Sequence, residues 1–510
     1  MKFKKYLMYV LSAALLISAS GCSSNASESS SNESKSSEVV AETKSKNSSE
    51  NAVQSDKAIS DSDVSYKTMS IADAKAVVGD EDTLFVDLRS EAEYIGWQID
   101  ASRGGHIKGA VDFPADWFDI LDSDEDTKGE LDRRHIDTEK SIVLYDDSSV
   151  DESIIKELNS LGYEDISVLE GGAIAWSGDE SLPMEKMEHY ELLVYPEWVQ
   201  SLVDGENPDT YDGGDYKIVE LSFGKQEADY EKGHIKGAVH VDETINEIIG
   251  LRNLADYEFV PQDQKEDFWN RPDDATIEQM ITDLGITKDT TVVIYGPNTT
   301  AASRCAVTMK YAGVEDVRIL NGGIERWNLD QMPLESGVVN PEKAKEFGAD
   351  VPANPKVMID LDDEMKLIDD PNAVIASIRS WPEYICDVSG YTYIGEAGDI
   401  VNSRFGYAGS DPYHMEDYRN PDNTMFNYHM IAKRWADWGI TPDKYVSFHC
   451  GTGWRASETY MYAAAMGWEN ISVYDGGWYE WHLREDTPRK TAGIPEDIPY
   501  LPVDSCGYTK

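Results

Sequence analysis

The feature that most constrains the fold is a repeat in which two adjacent glycines are followed, four residues after the second, by a tryptophan. Its three copies are Gly171-Gly172 with Trp176, Gly322-Gly323 with Trp327, and Gly476-Gly477 with Trp481. Each glycine pair follows a short apolar run and, before that, a helix-like stretch that ends in glycine. A period of about 150 residues predicts three units, each containing a helix, a strand, a glycine turn and a second helix.

A second landmark lies upstream of the glycine pairs. The stretch Gly105–Ala110 reads Gly-His-Ile-Lys-Gly-Ala, the stretch Gly233–Ala238 repeats it, and Gly398–Ser403 is a looser third copy. A strand with a polar end precedes each stretch, so strands alternate with helices along the chain. This alternation predicts α/β domains with largely parallel sheets, whose ligand sites lie beyond the carboxyl ends of the strands.

Together these landmarks resemble the rhodanese family, which combines Asp-x-Arg at a strand end, Glu-x-Tyr, Gly-His-Ile-x-Gly-Ala and the late Gly-Gly-x-x-x-Trp. The resemblance covers nearly all of the chain after its polar N-terminal segment. It implies three tandem rhodanese-like domains, each a mostly parallel sheet flanked by helices, at residues 65–186, 187–338 and 339–510. Three units with one catalytic cysteine in the last are similar to the exported three-domain rhodaneses.

In a rhodanese domain the nucleophile directly follows a buried central strand. That strand is expected at Ile142–Tyr145, Val292–Tyr295 and Tyr445–His449, and the residues that follow it are Asp146, Gly296 and Cys450. An aspartate repels anionic sulfur donors and a glycine has no nucleophile. The first two domains are therefore predicted to be inactive, and the third, carrying Cys450, to be catalytic.

The loop after Cys450 explains why a thiol there would be reactive. Gly451, Thr452, Gly453 and Trp454 are expected to form a tight loop of inward-pointing amides, ahead of a helix over residues 456–466. Such a cradle favours the thiolate and holds a persulfide. Arg455 adds a positive charge that stabilises an anion. The alternative is a buried, inert cysteine.

The number of residues between cysteine and arginine tests a rival interpretation. Cysteine phosphatases and related arsenate reductases place five residues there, whereas four separate Cys450 from Arg455 and the next position is Ala456. The smaller loop favours sulfur transfer over phosphate chemistry. The resemblance implies a mechanism that requires no metal and no organic cofactor. Metal-ligand spacing is also absent, because His449 precedes Cys450 on a strand and the two side chains should point to opposite faces.

The resemblance implies double displacement, with a small-molecule sulfur donor, thiosulfate or 3-mercaptopyruvate, and a thiol or cyanide as acceptor. The donor stays open, because the Cys-Gly-Thr-Gly start is similar to mercaptopyruvate-using members and Arg455 to thiosulfate-using ones. Arg379 and Arg404 are candidate substrate-binding residues, although an ion pair of Arg379 with Glu383 is the plainer alternative. The segment Tyr391–Tyr418 either covers the site or forms a surface loop.

Two side chains of the second domain have plainer roles. Arg304 is expected to form a local salt bridge, although it could be a remnant of an active-site arginine. Cys305 follows it on a predicted helix among alanine and valine residues, and is expected to be a small core residue.

The N-terminus is expected to be an export signal. Residues 1–5 are basic, residues 6–17 are apolar and too short to span a membrane, and Ala19-Ser20-Gly21-Cys22 resembles a bacterial lipobox. Cleavage would leave Cys22 as the lipidated first residue, followed by a disordered Ser/Glu-rich tether over 23–64. The protein is therefore predicted to be lipid-anchored at the extracytoplasmic face of the cell membrane.

Charge limits the partners. Forty-five basic and 96 acidic residues give a net charge of −51, which argues against nucleic acid and means that anionic substrates need local donors for capture. A protein partner is left open, because the chain could instead be a surface-tethered sulfur carrier or docking module without small-molecule turnover. A purely structural lipoprotein is a third alternative, which the intact Cys450 loop opposes. Among the five cysteines, a disulfide between Cys386 and Cys506 also stays open.

Overall fold

The computed structural model describes residues 64–222, 230–242 and 268–491. The export signal, Cys22, the tether up to residue 63 and Cys506 lie outside these ranges. Within them, none of the helices combines the length and the apolar character that crossing a membrane requires.

The first domain is built on a parallel five-stranded sheet with the order β1-β6-β5-β2-β4. The short strands β3 and β7 pair antiparallel beside it. Its strands are β1 Lys67–Met69, β2 Thr83–Asp87, β3 His106–Ile107, β4 Val111–Asp112, β5 Ser141–Tyr145, β6 Ile166–Leu169 and β7 Met184–Glu185. Its helices are α1 Ile71–Val77, α2 Glu91–Ile95, α3 Trp117–Ile120, α4 Asp124–Arg133, α5 Glu152–Ser160 and α6 Gly172–Ser177.

The second domain has a parallel sheet with the order β10-β9-β11-β12-β8. A short 3-10 helix, Tyr190–Leu192, leads into it. The described strands are β8 Leu193–Val194, β9 Tyr216–Ser222, β10 Val239–Asp242, β11 Thr291–Tyr295 and β12 Asp316–Leu320. The described helices are α7 Pro196–Val203, α8 Asp274–Asp283, α9 Thr299–Ala312 and α10 Gly323–Leu329.

The third domain repeats this plan with the order β13-β18-β17-β14-β16, and β15 pairs antiparallel with β19. Its strands are β13 Met358–Ile359, β14 Ala373–Ser377, β15 Asp399–Ile400, β16 Arg404–Phe405, β17 Tyr445–His449, β18 Ile471–Tyr474 and β19 Arg489–Lys490. Its α-helices are α11 Leu361–Leu367, α12 Trp381–Tyr384, α13 Tyr428–Asp437, α14 Trp454–Ala465 and α15 Gly477–Leu483. A 3-10 turn lies at Glu416–Tyr418.

The structure confirms the predicted fold class of three mostly parallel sheets flanked by helices. The predicted order of helix, strand, glycine turn and helix is α5-β6-α6, α9-β12-α10 and α14-β18-α15. The central strands β5, β11 and β17 are almost wholly buried, because each pairs with a neighbour on both sides and carries a run of apolar residues. Each therefore delivers the residue that follows it to the edge of the sheet where a site is expected.

The glycine repeat has a steric cause at its second position. Gly323 and Gly477 have left-handed φ angles of 58° and 56°, and a Cβ there would lie 2.6 Å from the carbonyl oxygen of Gly296 and 2.7 Å from that of Cys450. The repeated tryptophans are fully buried, and their indoles donate to the carbonyl oxygens of Pro183, Pro333 and Pro488. The repeat therefore locks the turn beneath each domain's candidate catalytic position.

Candidate active site

Cys450 follows strand β17 directly and is fully buried, with 0% of its surface exposed. Two backbone hydrogen bonds fix it from below, since the amide of Trp478 donates to the carbonyl of Cys450 (2.8 Å) and the amide of Tyr479 to that of Gly451 (2.9 Å). Both donors lie in the first turn of α15. The carbonyls of Cys450 and Gly451 are thereby turned toward α15.

The amides of the loop are left available. Over the described part of the chain, the N–H groups of Gly451, Thr452 and Gly453 make no hydrogen bond to a backbone carbonyl. Gly453 caps α14 in the left-handed conformation (φ 84°), which lets the chain enter the helix from a tight loop. Helix α14 begins at Trp454, two residues before the predicted start. The loop thus combines unpaired amides with the positive end of a twelve-residue helix.

Arg455 is not an isolated cation facing the loop. Its Nη1 and Nη2 atoms bind the Glu383 carboxylate at 2.9 and 3.0 Å, and both side chains are buried. Burial opposes ionisation, but Arg455 and Arg379 lower the pKa of Glu383 to about 2. The Glu383 carboxylate therefore balances the positive charge of Arg455. The pair also ties the first turn of α14 to α12.

Arg379 shares the same carboxylate. Its Nε donates to Glu383 (3.2 Å), and its other nitrogens donate to the carbonyls of Gly398 (2.6 Å) and Ser389 (3.1 Å). With no exposed side-chain surface, it matches the plainer alternative of a structural ion pair. Arg404, the other candidate, is half-buried on the edge strand β16 opposite Ala376.

Aromatic side chains cover the loop. The ring of Tyr391 lies where a Cβ of Gly451 would be, its hydroxyl donates to the carbonyl of Pro412 (2.7 Å), and Tyr413 contacts it edge-on at 5.2 Å. Burial raises the pKa of Tyr391, and the nearby Arg455 guanidinium opposes this effect. The part of segment Tyr391–Tyr418 that holds these residues therefore lies over Cys450.

A buried histidine next to a buried carboxylate lies behind the nucleophile. His449 Nε2 stands 3.2 Å from Asp399, whose other oxygen accepts from Ser377 at 2.8 Å. Burial opposes ionisation of Asp399, but His449 and Arg379 hold its pKa well below the usual range. The pair belongs to the support of strand β17.

The second domain buttresses this loop. Arg304 of α9 is fully buried and pairs with Asp475, the residue before the third glycine pair. A Cβ on Gly453 would lie 2.8 Å from its guanidinium. The expectation of a local salt bridge was therefore wrong, because α9 packs against α14 and brings Arg304 to the neighbouring domain. Cys305, next to it, is a fully buried core residue, as expected.

The structure places Cys450 and its loop where the sequence predicts them, and it favours the covering alternative for the segment that begins at Tyr391. Sequence reasoning missed Glu383 as the centre of the charge network and Asp475 as the partner of Arg304. Glu383 had a usable signal, since it directly precedes Tyr384 and follows Arg379 by four residues. Asp475 gave none, because its partner lies 171 residues away in the chain.

The family model of the rhodanese-like domain matches residues 70–179, 196–330 and 360–484. A thiosulfate sulfurtransferase of Escherichia coli is 39% identical over 408 residues, which cover 80% of this chain and 88% of that protein. A sulfur carrier protein of Thermus thermophilus is 25% identical over 308 residues, covering 58% of this chain and 94% of the relative.

The similar solved structures include enzymes that were crystallised with a different kind of ligand. An anaerobic ergothioneine biosynthesis enzyme from Chlorobium limicola, in complex with trimethyl histidine, superposes with a TM-score of 0.77 at 35% identity, covering 84% of this chain and all of the other. The enzyme EanB carrying a cysteine persulfide, in a tetrahedral intermediate state with ergothioneine, superposes with a TM-score of 0.76, also at 35% identity and the same coverage.

Proposed function

The chain belongs to the rhodanese family of sulfurtransferases, and we propose that it transfers sulfane sulfur from thiosulfate or 3-mercaptopyruvate to a thiophilic acceptor through a persulfide on Cys450. The observation that carries the proposal is the loop itself. Cys450 stands at the end of the buried strand β17, beneath unpaired amides and at the start of α14. The corresponding residues of the other domains, Asp146 and Gly296, have no thiol.

The proposed reaction has two displacements. The Cys450 thiolate attacks the outer sulfur of thiosulfate, the S–S bond of the donor breaks, and sulfite leaves with the electron pair. The loop amides of residues 451–453 hold the negative charge of the bound donor and then of the persulfide. Cyanide or a thiolate next attacks the outer persulfide sulfur and releases the Cys450 thiolate.

A second candidate acceptor is a trimethylated histidine. Its ring carbon would form a C–S bond to the outer persulfide sulfur, the S–S bond would break to release the Cys450 thiolate, and the proton of the ring carbon would leave to solvent. Two observations favour it. The tyrosine, cysteine and threonine changed in the EanB variants are spaced along that chain as Tyr391, Cys450 and Thr452 are here. Aromatic rings also stack over this loop, since Tyr391 lies 5.0 Å from Tyr393 and Tyr393 lies 4.9 Å from Trp269.

These rings suit an acceptor that carries a quaternary ammonium group. Aromatic faces attract such groups. The net charge of −51 disfavours anionic acceptors at long range, whereas the charges of a betaine cancel. The same charge disfavours thiosulfate at long range. An anionic donor and an acceptor with a quaternary ammonium group thus favour different surroundings along the approach to Cys450. Which acceptor the protein uses can be measured.

The test compares acceptors at a fixed donor. Protein without residues 1–22 and its Cys450→Ser variant are each given thiosulfate, 3-mercaptopyruvate or polysulfide, and intact mass is recorded before an acceptor is added. A gain of ~32 Da that disappears in the variant is expected. Cyanide, a small thiol and trimethyl histidine are then supplied separately, and thiocyanate, the new persulfide and ergothioneine are measured.

Each outcome decides between the alternatives. Turnover with cyanide or thiol supports the general sulfurtransferase, and ergothioneine formation supports the betaine acceptor. A stable adduct without turnover to any acceptor would favour the carrier or protein-docking alternative, which the similarity to a sulfur carrier protein also supports. Absence of both adduct and turnover with all three donors would overturn the proposal.

We also propose that the protein works at the extracytoplasmic face of the cell membrane, anchored by a lipid on Cys22. The basic, apolar and small-residue segments that end at this cysteine support this location. Metabolic labelling of the full chain with a fatty-acid analogue should mark the wild type and leave Cys22→Ala unlabelled. Equal labelling of both would contradict the anchor.

A further inference from the structure

Three side chains from distant parts of the chain meet where the first domain contacts α13 of the third. His106 lies on β3, Glu185 lies opposite it on the paired strand β7, and His429 lies in the first turn of α13. One ligand atom of each, an imidazole nitrogen or a carboxylate oxygen, lies within 4.8 Å of those of the other two. Sequence spacing predicts no metal site here because the two histidines are 323 residues apart.

The distance between the two imidazoles is the distance that a shared ion needs. His106 Nε2 and His429 Nε2 are 3.3 Å apart. Two nitrogens bound to one tetrahedral ion, each at ~2.0–2.1 Å, lie about 3.3 Å from each other. Glu185 Oε2 is 4.0 Å from His429 Nε2, so a rotation of this half-exposed side chain closes the third bond.

The buried histidine is oriented by a partner behind it. His106 Nδ1 lies 2.8 Å from the carbonyl oxygen of Tyr94, to which it donates, so Nε2 keeps its lone pair and points toward His429. The Tyr94 ring stacks on the imidazole at 3.8 Å, and Asn427, which caps α13, donates to the Tyr94 hydroxyl at 3.0 Å. A carbonyl behind a histidine is the usual way in which proteins fix a metal-binding imidazole.

We propose that His106, Glu185 and His429 bind a divalent transition-metal ion of the Zn²⁺ class, which joins the first domain to helix α13 of the third. Two imidazoles and one carboxylate are ligands that such an ion accepts, and three protein ligands leave a fourth position for water or a small molecule. The acidic surface favours accumulation of cations near the site.

Glu185 has weak competitors, since Lys108 lies 3.6 Å from its Oε1 and the amide of Gly109 donates to its Oε2 at 3.1 Å.

The second domain supplies an internal control. There His234 lies 3.4 Å from Glu335, and its Nδ1 contacts the carbonyl oxygen of Tyr230 at 2.8 Å, as in the first domain. Among the described residues, His106, Glu185 and His429 are the one group of three or more such ligands that comes together. The pair His234 and Glu335 is therefore a two-ligand version of the same motif.

A plain hydrogen bond between the imidazoles is the rival explanation of the 3.3 Å contact. It needs neither Glu185 nor a metal ion. The two explanations separate on Glu185, because Glu185→Gln weakens metal binding but leaves an imidazole–imidazole hydrogen bond unchanged.

The experiment uses the untagged full chain in detergent, stripped with a chelator, in a Cys450→Ser background so that this thiol is not a ligand. Zn²⁺ uptake is measured by equilibrium dialysis and elemental analysis, and Co²⁺ is added to record its visible absorption. We expect one tight equivalent that weakens on the order of 100-fold in His429→Ala and about tenfold in Glu185→Gln. His234→Ala should bind like its parent.

Thermal unfolding gives a second readout. Zn²⁺ should raise the Tm of the parent and of His234→Ala clearly more than that of His429→Ala at the same Zn²⁺ concentration. Far-UV circular dichroism shows whether each variant is folded, and His429 tolerates replacement because it is half-exposed. Equal Zn²⁺ uptake by the parent and His429→Ala, or no uptake by either, would overturn the proposal. Sulfur transfer by His429→Ala with Cys450 intact should stay at the wild-type rate, so this test is independent of the proposed function.

Discussion

The second and third domains fix the turn after their central strands in the same way. The side chains at the positions of the candidate nucleophile and arginine differ between them. Gly323 packs on the carbonyl of Gly296 as Gly477 packs on that of Cys450. Five residues on, the third domain has Arg455 where the second has Ala301. The shared part is backbone geometry imposed by a close contact, and the part that differs is side chains. A domain without a cysteine after its central strand can therefore keep the backbone geometry of the domain that has one.

The second domain also supports the loop that carries Cys450. Helix α9 carries Arg304 into the neighbouring domain, where it pairs with Asp475 and lies against Gly453. One apolar core runs through both domains and includes Ala306 of α9 and Met461 of α14. Although the second domain has no cysteine after its central strand, its helix α9 therefore has a structural role beside the Cys450 loop.

The largest expected effect comes from moving the thiol between the two turns. In a Cys450→Ser background, Gly296→Cys should give neither persulfide nor turnover, because a Cβ at residue 296 meets the backbone carbonyl of Leu221 and the second turn lacks the glycine loop. Activity should stay at least about 1,000-fold below wild type. Intact mass after incubation with donor checks this. Recovery of an adduct on the thiol introduced by Gly296→Cys would show that the scaffold alone activates a thiol.

The next effect sharpens a comparison between the first and third domains. Glu93 and Glu383 occupy the same place after Arg89 and Arg379. Burial raises the pKa of Glu93 to about 7, whereas the two arginines, against burial, lower that of Glu383 to about 2. Ionised Glu383 therefore stabilises the fold above its unfolded pKa near 4.5, and this stability is lost only as pH falls toward 2. Glu93 has the opposite sign, since its ionisation reduces stability as pH rises from 4.5 to 7.

Glu383→Gln should therefore lower stability by about 3–5 kcal/mol, because it leaves two buried guanidiniums without their carboxylate. Its Tm should fall by roughly 10 °C at both pH 5 and pH 8. Glu93→Gln should raise the Tm by a few degrees at pH 8 and have little effect at pH 5. Calorimetry of both variants at both pH values checks the pair. The same sign for both at pH 8 would show that the two carboxylates are in equivalent environments.

The fold was predictable because its signals are local and repeated. Gly477 lies too close to the carbonyl of Cys450 to carry a side chain, and the Trp481 indole donates to a proline carbonyl. Replacing either residue would lower the stability of the turn, and the same pattern recurs in each domain. Cys450 and its loop were predictable for the same reason, because strand, thiol, glycines and helix are consecutive. The boundaries were less certain, and α14 begins at Trp454 instead of Ala456.

The support of the site was not predictable because it is long-range. Glu383 meets Arg455 across 72 residues, and Arg304 meets Asp475 across 171. A single sequence contains the charges but not their pairing, and a chain with 141 charged side chains offers too many pairs. Sequence reasoning therefore assigned Arg455 a role in anion stabilisation without its ion pair to Glu383.

A smaller effect tests whether the second domain's helix positions the loop. Arg304→Met should lower stability by about 3 kcal/mol and kcat about tenfold, because the guanidinium that lies against Gly453 is lost. Arg271→Met is the matched control, since Arg271 binds the same Asp475 carboxylate at 3.1 Å from a more exposed position. It should reduce stability with kcat unchanged. Equal loss of kcat in both variants would assign the effect to Asp475 and not to contact with the loop.

The smallest effect concerns the aromatic cover. Tyr391→Phe removes the 2.7 Å hydrogen bond to the carbonyl of Pro412, worth about 1 kcal/mol, and keeps the ring over Gly451. Turnover should change by less than about threefold, since the ring still excludes water. Tyr391→Ala removes the ring itself, so Cys450 should react about tenfold faster with a bulky aromatic disulfide reagent. If both variants react as the wild type does, the loop alone buries the thiol. The turn after β17 would then differ from the turn after β11 only in its cysteine and in the amides around it.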